Sequence, residues 1–124
     1  MNLDKIQEEL MNEIDQEEKL NQDIDNWSQA IASSLLISKK ARADINDTIY
    51  SFVYKEYTDK ENKRGISLIA IDEFHYKMAN GKYRPFTATC EYNEDITLKD
   101  NLACVVEGFL RHVLNAYKAE ELSD

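Results

Sequence analysis

The chain has no glycine before Gly65 and no proline other than Pro85, so its first half contains no residue that breaks a helix. Glycine and proline are the two residues least compatible with a helix interior, and their absence allows one long helix. Apolar side chains recur there at steps of three and four, with one gap at Glu17, which places them along one side of a helix. These apolar residues are Leu3, Ile6, Leu10, Ile14, Leu20, Ile24, Trp27, Ile31 and Leu35. We expect a helix from about Asn2 to Lys40, either one rod or two packed pieces that meet near Asn21.

The first helix carries most of the charge of the chain. Residues 1–26 contain nine carboxylates and two lysines, which gives −7 of the formal net charge of −9. Glu9, Glu13 and Glu17 recur at four-residue steps and would share one helix face. No histidine accompanies them, so we expect a solvated acidic face and no carboxylate metal site. Residues 1–42 are therefore interpreted as an acidic helical arm.

Composition limits the class of protein. With 124 residues, of which 43% are hydrophobic and 31% charged, the chain fits one globular domain spanning residues 1–124. Its acidic balance disfavours direct binding to DNA or RNA, because that affinity comes largely from lysine and arginine neutralising phosphates. No apolar run approaches the roughly 20 residues of a membrane span, and the N-terminus lacks the pattern of a signal peptide. We expect a cytoplasmic protein in which Cys90 and Cys104 are reduced and structural.

Beyond the arm, the residue types change. Asp44, Asn46 and Asp47 favour the end of a helix, because their side chains compete for backbone hydrogen bonds. Aromatic and β-branched side chains then dominate three stretches, which predict a three-stranded antiparallel sheet over residues 48–92. The predicted strands are Thr48 to Thr58, Ile66 to Lys77 and Tyr83 to Tyr92. Pro85 places the third of them at the edge of the sheet or at a bulge.

The connection between the last two strands has two interpretations. Asn80-Gly81 is a strong signal for a two-residue hairpin turn. Such a turn would pair Phe74 with Thr87, His75 with Phe86, Tyr76 with Pro85 and Met78 with Tyr83. Alternatively, residues 72–80 form a short helix closed by Gly81. In that helix Asp72 and His75 would come together, although as two metal ligands at most.

Residues 97–120 show the clearest helical pattern. Thr97 lies three residues before Asp100, an arrangement that resembles a capping box. Apolar residues occupy one side at Leu98, Leu102, Val105, Val106, Phe109, Val113 and Tyr117, and a second face at Ala103, Leu110 and Leu114. Such width predicts burial against the sheet and against either the long helix or a second subunit. We expect a homodimer through the helices, with another backbone packed closely at Gly108.

No motif in the chain specifies a reaction. His75 and His112 have no catalytic partners nearby in sequence, and the glycine-rich phosphate loop and the nucleophile elbow are absent. We predict a protein without catalytic activity, metal or cofactor.

Two functional hypotheses follow for this α+β chain of helix, sheet and helix. The first is an inhibitor that mimics nucleic acid, whose acidic arm covers the basic surface of a nucleic-acid-handling protein. Its expected partner-binding residues are Glu8, Glu9, Glu13, Glu17 and Asp23. The alternative is a protein that sequesters a small anionic ligand such as a nucleotide, in a pocket between the sheet and the C-terminal helix. Its expected ligand-binding residues are Tyr76, Lys82, Tyr83, Arg84, Phe86 and Arg111. A structural protein that assembles through its helices is a third class.

Overall fold

The computed structural model describes residues 3–122, and within that range it leaves undescribed the side chains at positions 3, 4, 6, 8, 10, 12–15 and 115–122. The elements, in chain order, are α1 (Leu3–Ser38), β1 (Lys40–Ile45), β2 (Thr48–Thr58), β3 (Arg64–Asp72), α2 (Glu73–Met78), β4 (Phe86–Glu91) and α3 (Leu98–Leu122). The four strands form one antiparallel sheet in the order β1-β2-β3-β4. The α+β class predicted from the sequence is confirmed, with four strands in place of three.

The strand missing from the prediction is β1. Helix α1 runs through Asn21 without interruption and ends at Ser38, after which Lys39 adopts a left-handed φ of 60° and reverses the chain. Asn46 and Asp47, interpreted above as part of a helix end, form a two-residue hairpin turn with φ values of 51° and 68°. That turn joins β1 to β2 and aligns Ile45 with Thr48. Positive φ at both central positions is the requirement of a type I′ turn, which asparagine and aspartate tolerate.

Helix α2 replaces the predicted hairpin between β3 and β4. The side chain of Asp72 accepts a hydrogen bond from the backbone N–H of His75 at 3.2 Å, which caps the helix and ends β3. Asn80 and Gly81 follow the helix with left-handed φ values of 50° and 82°. The strand prediction for 73–77 was therefore wrong and the alternative of a short helix is confirmed, while Asn80 and not Gly81 directly follows the C-cap Ala79.

Because α2 occupies those residues, the predicted pairing of Phe74, His75, Tyr76 and Met78 across a hairpin does not form. Ala70 instead pairs with Phe86, and Gly65 with Glu91, so β4 is shorter than the predicted strand of residues 83–92. Its position at the edge of the sheet is as predicted, and Pro85 lies just outside it.

The core lies between one face of the sheet and the two long helices. Alternate residues of β2 and β3, including Phe52 and Leu68, point toward the helices and are almost fully buried. The ring of Phe109 in α3 contacts those of Tyr50, Phe52 and Phe86, with centroids 5.3 to 5.5 Å apart and planes steeply inclined.

Both apolar faces of α3 are buried as far as Leu114, because α1 covers the face that the sheet does not. The two apolar faces of α3 are therefore both covered by other elements of the same chain. The predicted close packing at Gly108 was wrong, since Gly108 is exposed and a Cβ atom there would meet no atom within 4 Å. Tyr117 lies outside the described side chains.

Candidate interaction surfaces

The acidic half of α1 is exposed wherever its side chains are described. Glu9 and Glu17 are exposed and Asp23 is half-buried, whereas Glu8 and Glu13 lie outside the described side chains. Among the described residues, contact with the core begins at Leu20, which is partly buried, and Ile24 is the first fully buried residue. The helix is thus divided into an N-terminal acidic part and a C-terminal part that packs on α3 and the sheet.

A polar contact marks the boundary between these two parts. Arg111 of α3 donates a hydrogen bond to the side-chain oxygen of Asn21 at 2.9 Å and also pairs with Glu107 at 2.9 Å. The guanidinium of Arg111 is therefore directed at α1. It does not join the other residues of the predicted ligand site, which belong to α2, β4 and the loop between them.

Glu73 at the start of α2 is held by two side chains of the sheet. Arg42 donates two hydrogen bonds of 2.8 Å to its carboxylate, and the Ser51 hydroxyl donates another of 2.7 Å. These hydrogen bonds, chiefly those from Arg42, lower the pKa of Glu73 from 4.5 to about 2. The carboxylate is permanently ionised near neutral pH and is fully engaged, so it anchors α2 and is poorly suited to act as a base.

A cleft of about 420 Å³ lies beside this anchor, with Asp72 and His75 among its walls. The Nδ1 atom of His75 is 2.7 Å from a carboxylate oxygen of Asp72, so the structure brings together the two residues that share a helical spacing. Within the described residues, no cluster of three or more histidine, cysteine, aspartate or glutamate side chains has metal-binding geometry. The pair is accounted for by its structural role at the N-terminus of α2.

Helix α2 buries none of its six residues and exposes three large apolar or aromatic side chains. Phe74, Tyr76 and Met78 are 67%, 56% and 70% exposed. The ring of Tyr76 lies edge-on to that of Tyr83 at 6.1 Å, and the Tyr83 hydroxyl accepts a hydrogen bond from the backbone N–H of Asp72. These two tyrosines of the predicted ligand site are therefore adjacent.

Unpaired cations follow α2. Lys82 and Arg84 are exposed. Of the four arginines in the chain, Arg42, Arg64 and Arg111 each contact a carboxylate, whereas Arg84 contacts none in the described part of the molecule. An arginine without a carboxylate, in a protein with a large excess of carboxylates, is available to an external anion.

A groove of about 600 Å³ separates β4 from α3, in the place where the ligand hypothesis expects a pocket. Phe86 is the one residue of the predicted ligand site in its lining, together with Cys90, Cys104 and His112. Both cysteines are free thiols, and burial, followed by the neighbouring Cys104, raises the pKa of the Cys90 thiol. Cys90 is therefore a poor nucleophile. The ligand hypothesis places a pocket between the sheet and the C-terminal helix, but of the residues that line this groove it names only Phe86.

Among the residues that the structure describes, no helix has the length and apolarity needed to cross a membrane. Comparisons with protein-family models, with characterised proteins and with solved structures give no match for this chain.

Proposed function

We propose that this protein is an acidic interaction module whose α1 helix covers the basic surface of a nucleic-acid-handling protein. The observation that carries the proposal is the separation of acidic surface from core within one helix. Described side chains before Leu20 are exposed, while the sequence places nine carboxylates in the first 26 residues. Where its side chains are described, this surface lies outside the core cluster and is accessible to a partner.

The charge density of α1 suits a mimic of a phosphate backbone. At a rise of about 1.5 Å per residue, residues 3–26 extend over about 36 Å. Their net charge of −7 gives roughly one negative charge per 5 Å, compared with one per 3.4 Å along a DNA strand. The helix therefore reaches about two thirds of the charge density of a single strand, which is sufficient to compete for a lysine- and arginine-rich groove.

The four-residue spacing of the glutamates in α1 lowers the stability of the isolated helix. Glu9, Glu13 and Glu17 are separated by four residues, and like charges at that spacing destabilise a helix by about 0.2–0.5 kcal/mol per pair. A basic partner removes this repulsion and supplies the counter-charges. Binding therefore stabilises the acidic half of α1, in addition to accelerating the encounter electrostatically.

The test is capture of the partner from a lysate of the native host cells, with the purified protein as bait at low and high salt. We expect a basic protein that high salt releases and that added duplex DNA displaces. The double variant Glu9→Lys/Glu17→Lys should lose the partner and keep the melting temperature. The matched control, Asp44→Lys/Glu61→Lys, makes the same change in net charge at exposed positions outside α1. This control variant should still capture the partner. Equal capture by the two double variants would contradict the proposal.

A further inference from the structure

Strand β4 has one unpaired edge. It is the last strand of the sheet, and among the described elements it contacts β3 on one side and α3 on one face. The opposite edge presents the backbone N–H and C=O groups of alternate residues without a strand to receive them. Such an edge is a template for another strand unless the sequence protects it.

The two edges of this sheet differ in protection. In β1 the side chains on the exposed face are charged, at Lys40, Arg42 and Asp44. Charged side chains on an edge strand discourage pairing with a second chain. In β4 the corresponding exposed positions are Thr87, Thr89 and, at the end of the strand, Glu91; the two threonines at its centre are uncharged and β-branched, and such residues favour a strand. Of the two edge strands, β4 is therefore the one that is open to pairing with another strand.

The flanks of β4 have opposite charges. Lys82 and Arg84 precede the strand, whereas Glu91 ends it and Glu94 and Asp95 follow. All five side chains are exposed, and the structure gives neither Lys82 nor Arg84 a carboxylate partner. In an antiparallel pair of identical strands, the entry of each copy faces the exit of the other. The charge pattern is thus complementary to itself under twofold symmetry.

We propose that two copies of this chain dimerise through β4, forming a continuous eight-stranded antiparallel sheet. A register centred on Thr89 uses the backbone groups of the odd residues, which face away from β3, and places Arg84 of each copy opposite Glu94 of the other, within reach of long side chains. The groove between β4 and α3 would then lie at the junction. Gly108 leaves space on the α3 side, since a Cβ atom there meets nothing within 4 Å. This dimer leaves the acidic half of α1 free, so it is independent of the proposed function.

The first test is analytical ultracentrifugation of the full chain over a concentration range of about 1 µM to 1 mM, which spans dissociation constants of weak dimers. Arg84→Glu and Glu94→Arg should each raise the dimer dissociation constant about tenfold, because symmetry removes each ion pair twice. Combining the two changes should restore dimerisation. Lys55→Glu, an equal charge change at an exposed lysine of β2, is the control and should have no effect.

A second measurement needs no variant. Amide hydrogen exchange of the wild-type chain at low and high concentration should show increased protection at alternate residues of 86–91 in the dimer. A monomer throughout the concentration range would overturn the proposal. It would also be overturned by a dimer insensitive to both charge reversals, or by concentration-dependent protection in α1 in place of β4, which would indicate dimerisation through the helices.

Discussion

Phe109 joins α3 to two strands of the sheet, β2 and β4, and its truncation should produce a large loss of stability. Its side chain is 1% exposed and contacts the rings of Tyr50, Phe52 and Phe86. Replacing a buried phenylalanine with alanine removes about 3–5 kcal/mol through lost burial and the cavity that remains. The leucine variant retains most of the burial and loses the edge-to-face contacts, so Phe109→Leu should cost about 2 kcal/mol.

These values correspond to measurable changes in melting temperature. Unfolding entropy is about 2.1 cal/mol/K per residue, so for a domain of this length 1 kcal/mol shifts the melting temperature by roughly 4 °C. We expect a decrease of about 12–19 °C for Phe109→Ala and about 8 °C for Phe109→Leu. Urea unfolding followed by circular dichroism and by the fluorescence of Trp27, the single tryptophan, gives the free energy.

The matched control is Phe74→Ala, which removes the same side chain from a position that is 67% exposed. Surface substitutions of this kind usually change stability by less than about 0.5 kcal/mol. If Phe109→Ala cost no more than Phe74→Ala, the assignment of Phe109 to the centre of the core would be refuted.

Three further predictions concern single side chains. Glu73 has a pKa lowered from 4.5 to about 2, so its ion pair stabilises the fold above pH 4.5 and this contribution disappears as the pH falls toward 2. The melting temperatures of Glu73→Gln and wild type should therefore converge over that interval, and a constant difference would contradict the reasoning. Asn101 is 2% exposed and makes three hydrogen bonds, two with the backbone of Asn93, so Asn101→Ala should cost about 2–3 kcal/mol by calorimetry. Gly108→Ala should raise the melting temperature by about 4 °C, because alanine is better by ~1 kcal/mol in a helix and meets no neighbour; a decrease would show that the space is occupied.

The sequence was sufficient to predict the two long helices. Each presents a sustained apolar pattern with the helical period, and α3 also carries its cap, since the Thr97 hydroxyl accepts a hydrogen bond from the Asp100 backbone N–H at 3.1 Å. Long amphipathic patterns leave little ambiguity, and the observed ends differ from the predicted ones by at most two residues.

Short elements could not be predicted in the same way. Strand β1 has six residues with alanine as its main apolar type, which gives little contrast between its two faces. Helix α2 also has six residues and buries none of them, so hydrophobic periodicity carries no information about it. The start of α2 is set by the Asp72 side chain, which caps the helix. Asp72 can be recognised as a cap only when the end of β3 is known.

The candidate surfaces were predictable only in part. The acidity of α1 is a property of the sequence, and Glu9 and Glu17 are exposed as expected for a binding face. The groove between β4 and α3 and the free edge of β4 arise from tertiary contacts, as does the engagement of Arg111 by Asn21. Composition and spacing do not encode which charged side chains satisfy one another within the fold.

The absence of burial in α2 has a consequence for engineering. Its segment is fastened to the domain at one end, where Arg42 and Ser51 hold Glu73, while the core is completed by other elements. The loop after it, around Gly81, is therefore the natural insertion point for a foreign peptide, an affinity tag or a protease site. Such an insertion would interrupt the chain between β3 and β4 without removing a core residue, and a nicked protein should keep its two fragments associated through the pairing of those strands.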